Sequence, residues 1–279
     1  MTVIDKPAGM TSHDVVNQLR RHFGERRIGH AGTLDPGATG VLVVAVGNAT
    51  RLMRFLSGAD KSYVGEVVLG TSTSTLDDAG EVTGAFDMAG VSLGDARAVV
   101  AEHLMGDIEQ IPPMVSALKV DGRRLHELAR EGVEIERVAR PVHISRFDVD
   151  ATDDPAVLRI HVDCSTGTYI RTLADDLGRL LGGGAHLRNL RRTRVGRFTL
   201  DQAQAIDQAT LLPIDTAVAE LTSVHADDEM VEHISHGRLL PPWPGDGPWA
   251  VYAPSGDLVA VYEAFRGQQA KPVVVMIGQ

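Results

Sequence analysis

Twelve residues, Gly29-His30-Ala31-Gly32-Thr33-Leu34-Asp35-Pro36-Gly37-Ala38-Thr39-Gly40, bring four glycines and a proline directly up to the apolar run Val41–Val46. Glycine reaches backbone conformations closed to other residues and lets neighbouring groups approach closely. Pro36 fixes its own φ and pushes Asp35 away from the helical region. The segment therefore predicts a tight, irregular loop emptying into a buried strand. Loops built this way present side chains to ligands, and Asp35 is the one acidic group in it. The residues alone leave a second possibility open, an ordinary Asx turn feeding a core strand.

The rest of the chain reads as helices and strands without regular βαβ alternation. Ser12 is positioned to cap a helix over His13–Phe23, with Val15, Val16, Leu19 and Phe23 on one face. Tyr63–Leu69 reads as a strand, Leu93–Met105 as a helix stopped at Gly106, and Ile170–Leu181 as an amphipathic helix closed by Gly182-Gly183-Gly184. Asp121-Gly122 marks a hairpin, followed by a short helix over Leu125–Arg130. Val142–Val149 and Val157–Val162 form a strand pair around Asp153-Asp154-Pro155. An α+β fold with a mixed or antiparallel sheet is expected. After Leu221 the composition shifts to Pro241-Pro242-Trp243-Pro244-Gly245 and short β-like segments. The division expected is 1–220 and a small β-rich domain at 221–279, near the lower size limit for independent folding.

Several chemistries are excluded. One cysteine, Cys164, permits neither a disulfide framework nor a Cys-rich metal site. No P-loop, dinucleotide fingerprint or nucleophile elbow occurs, and His225, His233 and His236 lack metal-ligand spacing. Neither a metal nor a cofactor is expected. No leader and no span long enough for a bilayer are evident, so a cytoplasmic setting without membrane contact is expected. The net charge is −10, but Arg188, Arg191, Arg192, Arg194 and Arg197 occur without an intervening acid. A local positive face, not the total, decides whether a chain can bind RNA.

Seven blocks together resemble one family. Gly29–Pro36 with Ala38-Thr39-Gly40 is similar to the signature loop of the TruB family of tRNA pseudouridine-55 synthases. Asp5–Ser12 resembles its opening motif, Asp60-Lys61-Ser62-Tyr63 its Lys-x-Tyr segment, and Gly106–Pro113 with Ser116–Lys119 the next two. Gly167–Thr172 and Gly184-Ala185-His186-Leu187 complete the order across about residues 2–190. Thr166 departs from the Lys that related sequences often carry before Gly-Thr-Tyr. The C-terminal part resembles the family's PUA-like RNA-binding domain only faintly.

The resemblance implies isomerisation of tRNA uridine 55, without cofactor or guide RNA, with Asp35 as the catalytic carboxylate and Tyr63 and Arg171 beside it. Arg171 would pair with Asp35 and keep it ionised, as the sole carboxylate of the site. Tyr169 and Arg171, two apart in an extended segment, would face one side. Tyr63 would stack on the uracil, Leu190 would shape its pocket, and His30 would meet nucleotides of a loop from which the target base is flipped out. Lys119, Arg123, Arg124 and Arg130, in an insertion at about 111–140, would contact the backbone of the T-arm stem-loop, as would Arg188, Arg191 and Arg192. A monomer is expected. An RNA chaperone using the same surface, a guide-dependent synthase and a glycosidase-like hydrolase are the rival readings.

If Arg123 and Arg124 contact phosphates, log affinity falls linearly with log salt, by about 0.7 per contact for single strands and about 0.9 for duplex. Binding of a T-arm stem-loop, measured across a salt series, should weaken roughly tenfold over a few-fold increase. Replacing both arginines by Ala should flatten the slope, whereas neutralising Asp227, Asp228 and Glu229 should not. An unchanged slope in the arginine pair would move the RNA face elsewhere.

Overall fold

A computed structural model of the chain describes residues 1–277 except 117, 121, 126, 127, 129, 130 and 134; for 119, 120 and 124 it describes the backbone only. The strands up to the first long connection are β1 (Thr2–Lys6), β2 (Ile28–Ala31), β3 (Thr39–Val46), β4 (Lys61–Leu69), β5 (Thr71–Thr73) and β6 (Val82–Ala85). Then follow β7 (Gly106–Gln110), the hairpin β8 (Lys119–Val120) and β9 (Arg123–Arg124), β10 (Arg140–Ala151), β11 (Val157–Cys164), β12 (Ala185–Val195) and β13 (Phe198–Thr199). The main sheet runs β1-β3-β12-β4-β11-β10-β7, with β2 paired to β3 and β13 to β12. Among the described residues, β3 and β12 make the one parallel strand pair of this sheet, where Arg191 and Arg192 face Thr39 and Gly40. The sheet is mixed and the fold is α+β.

The apolar run in β3 follows from its place in this sheet. Leu42 and Val44 point into a core made with helices α1 (Ser12–Phe23), α3 (Leu93–His103) and α4 (Ile170–Leu180). Val41, Val43 and Ala45 point to the opposite face, against Leu52, Leu56 of α2 (Met53–Ser57), and the C-terminal sheet. A strand covered on both faces has no solvent side on which to place polar residues.

Helix α1 starts one residue earlier than the sequence suggests. Thr11, not Ser12, is its cap, in a reciprocal box with Asp14. Ser12 is buried and serves the signature loop instead. Its hydroxyl accepts from Leu34 N at 2.9 Å and donates to Leu34 O at 3.1 Å.

The second sheet, β14 (Thr222–His225), β15 (Trp249–Tyr252), β16 (Leu258–Phe265) and β17 (Gln269–Val275), runs in that order beside α5 (Asp228–Ser235). Trp249 and Val251 bury on the α5 side, while Ala250, Leu258 and Val261 join the apolar layer beneath β3. A unit too small for a large core of its own thus shares one with the main sheet.

Leu42 is fully buried and Val82 is 67% exposed. Leu42→Ala should therefore cost about 2–5 kcal/mol in urea unfolding, and Val82→Ala no more than about 0.5 kcal/mol. Similar losses at both would contradict the two-sided burial of β3.

Candidate active site

The signature loop is held from outside by groups that bind its carbonyls. Lys6, fully buried at the end of β1, donates to Pro36 O at 3.2 Å as well as to Pro7 O and Met10 O. Gly9 N donates to Pro36 O at 2.9 Å, and Ala38 N closes a turn onto Asp35 O at 3.1 Å. Arg192 donates to Gly32 O, Thr33 O and Val41 O from the β12 side. Gly40, at φ +101°, is required here, because a Cβ would stand 2.1 Å from Arg192 O. With its carbonyls committed, the loop turns the Asp35 side chain toward the cavity.

Arg171 receives that side chain. Its Nε lies 3.0 Å from Asp35 Oδ2, and Nη2 donates to Asp35 Oδ1 at 3.4 Å. The same guanidinium donates to Thr75 O and Val115 O, each at 2.8 Å, and stands 3.6 Å from Asp77 Oδ2. The Arg171 side chain is 5% exposed and that of Asp35 42%. The cation is locked inside while the carboxylate remains reachable. Arg171 occupies the first turn of α4, not an extended segment, and Tyr169 is the residue before that helix. Gln110 fixes this junction by accepting from Tyr169 N at 2.7 Å and donating to Tyr169 O at 3.1 Å.

Asp35, Tyr63, Tyr169, Arg171 and Leu190 line one cavity of about 270 Å³, together with Lys61 and Arg192. That lies just under the lower bound of roughly 300 Å³ for small-molecule pockets. Burial in the cleft raises the Asp35 pKa, and Asp77 adds to the rise. Arg171, chiefly, and Lys6 oppose it. Burial also raises the Tyr63 phenol, and lowers Lys61 to about 8. Lys61 Nζ donates to Ala59 O and to Thr166 Oγ1, so it supplies a cation on the wall where Thr166 supplies none.

Other expected site residues lie elsewhere. His30 is half-buried on β2, outside the lining of this cavity, with Nδ1 unpartnered; burial holds its pKa below the usual value. Arg192 is 1% exposed, which corrects its assignment as a phosphate contact, since its fork is spent on backbone carbonyls. Arg188 pairs with Glu66 at 2.8 Å and Arg191 with Asp5 at 2.7 Å; both remain partly exposed. Arg123 pairs with Glu131 on the exposed hairpin. Arg130 lies outside the described residues, as do the side chains of Lys119 and Arg124. The sequence reading also missed Asp77, in the loop between β5 and β6, so Asp35 is not the sole carboxylate. Asp77 Oδ1 accepts from Thr75 Oγ1 and Ala79 N, and its loop is pinned to β12 through Asp78 N to Leu187 O. No motif marks it, because the contact arises only from tertiary packing.

A model of the TruB family pseudouridylate synthase N-terminal domain matches residues 20–170. The tRNA pseudouridylate synthase B C-terminal domain matches residues 171–215, and the C-terminal model of tRNA pseudouridine synthase II matches 223–277. The chain is 46% identical to the tRNA pseudouridine synthase B of Arthrobacter sp. (strain FB24), over 99% of this chain and 95% of that protein. That of Mycobacteroides abscessus gives the same values. The protein belongs to the TruB family of pseudouridylate synthases. Among solved structures, the Cbf5 complex with Nop10 and Gar1 superposes with a TM-score of 0.71 at 27% identity, covering 98% of this chain and 83% of that one. An H/ACA RNP bound to a substrate RNA containing 2′-deoxyuridine gives 0.71 at 25%, covering 99% and 85%.

For a TruB-family site that uses an ionised Asp35, the raised pKa sets the sign of the pH dependence. Single-turnover rates should fall as pH drops through a value above the ordinary carboxyl range. Asp77→Asn removes a like charge, which makes Asp35 easier to ionise, so the acid limb should move to lower pH while the maximal rate also falls. A limb that stays in place in Asp77→Asn would show that the two carboxylates do not interact.

Proposed function

We propose that this enzyme converts uridine 55 in the T-loop of tRNA into pseudouridine, with Asp35 as the catalytic carboxylate and no guide RNA. The observation that carries the reading is the reachable Asp35 carboxylate, gripped by buried Arg171 and opening onto a cavity with Tyr63 on its wall. The reaction breaks the C1′–N1 bond and forms C1′–C5. The C5 proton leaves and N1 regains one, so atoms balance without an added reactant. Asp35 acts as nucleophile or stabilises positive character as the glycosidic bond opens. Tyr63 and Leu190, both in the lining, bound the base in this reading, and Tyr63 moves the C5 proton. A base paired or stacked in a folded loop reaches such a cavity only by flipping out. Lys61 and Arg192, which have no bonded carboxylate among the described residues, give the cavity a positive wall that favours a phosphodiester neighbour.

A hydrolase would need a carboxylate free to activate water. Asp77 is instead committed to Thr75, Ala79 and Arg171. The guide-dependent alternative draws on the fold likeness to the Cbf5 complexes, and is tested in the same assay.

Purified protein, an unmodified T-arm stem-loop and a pseudouridine readout, with no guide or metal added, should give product at position 55. Asp35→Asn should abolish turnover while leaving stem-loop affinity within about twofold, since the amide keeps the shape and loses the charge. Product from that variant at a tenth of the wild-type rate would remove Asp35 from the chemistry. Product only on addition of a guide RNA would favour the alternative.

A further inference from the structure

We propose that Arg192 is a positioning residue of the reaction, the link that sets the Tyr63 phenol in register with the loop carrying Asp35; this rests on the function proposed above. Arg192 and Tyr63 are directly paired across β12 and β4, the arrangement in which side chains on neighbouring strands lie closest. On its other edge Arg192 pairs with Gly40 of β3, so one residue stands where three strands meet. Its side chain is almost completely buried, yet among the described residues no carboxylate bonds it. Its donors go instead to Val41 O at 2.8 Å, Gly32 O at 3.1 Å and Thr33 O at 3.4 Å.

A buried cation without a carboxylate partner is costly, and a strand-to-loop tether needs only neutral donors. What the fork adds here is a fixed place for that charge beside the phenol, set by its bonds to Val41 O, Gly32 O and Thr33 O. Arg192, Tyr63, Gly32, Thr33 and Asp35 all line the same cavity. The guanidinium pulls the buried phenol back toward ionisation, against the larger effect of burial. It reaches Gly32 closely enough that a Cβ there would meet Nη1 at 3.5 Å and Lys61 Cε at 3.3 Å. The acidic loop and the phenol thus move with one rigid fork. Arg192 touches no reacting atom in this scheme; it acts through Tyr63.

Arg192→Lys keeps the charge and loses the planar fork. In the wild-type background it should slow single-turnover pseudouridine formation at least tenfold, with stem-loop Kd changed less than about threefold. In a Tyr63→Phe background the same substitution should cost no more than about twofold, because its route to the chemistry is already gone. An equal loss in both backgrounds would overturn the proposal and leave Arg192 a loop tether. A Kd change matching the rate loss would also overturn it, placing Arg192 in binding. Should Arg192→Lys fail to fold, Tyr63→Phe with Arg192 intact decides, since it removes only the hydroxyl. The Arg192 guanidinium ¹⁵N resonances should then shift, and unshifted resonances would overturn the link. Loss of activity in Asp35→Asn tests the functional reading separately, so the two can fail independently.

Discussion

A guanidinium that bonds three chain segments at once fixes most of what surrounds the candidate site. Arg171 needs several acceptors because a buried cation left unpaired is expensive. It finds them in Asp35, Thr75, Val115 and Asp77, which belong to the signature loop, the β5–β6 connection and the segment that opens the insertion. None of these positions can shift without stripping the arginine of a partner. The site is therefore assembled by satisfying one charge, and its carboxylate emerges oriented as a by-product of that requirement.

The same logic runs through the loop. Irregular backbone buried near a cavity cannot satisfy its carbonyls by forming a ladder. Here Lys6, Ser12 and Arg192 reach in from β1, α1 and β12 to do so. This explains why the opening motif, almost thirty residues before Asp35, belongs to the same site. Lys6 is held to a pKa of about 8 chiefly by burial, and its three carbonyl acceptors keep the ammonium in place at neutral pH.

Legibility in the sequence divided along the same line. Features set by local chemistry were readable: the loop from its glycines, β3 from its apolar run, α4 from its periodicity. The segment Ala185–Val195 carries no local strand signal, although it lies between β3 and β4 at the centre of the sheet. Its Arg188, Arg191 and Arg194 suggest a solvated basic face, and nothing nearby in sequence neutralises them. Their partners Glu66, Asp5 and Asp163 come from β4, β1 and β11. Long aliphatic stems let such residues lie along a sheet while their heads find distant acids. Asp77 carries no sequence signal for a related reason, and Ser12 resembles a cap because its partner, Leu34, lies 22 residues on.

That pairing also bears on how a chain of net charge −10 can present an RNA-binding surface. Arginines of β12 that are matched by acids contribute little long-range field, since each pair is nearly neutral beyond its own dimensions. The cations without a bonded carboxylate among the described residues near the cavity are Lys6, Lys61 and Arg192, all buried and all facing backbone or hydroxyl oxygen. Against them stand Asp35 and Asp77, already shared by Arg171. Positive charge without a bonded carboxylate thus sits behind the cavity wall. Low-dielectric walls strengthen the field of those cations at the mouth of the cavity, so a local positive potential can exist there whatever the total charge of the chain.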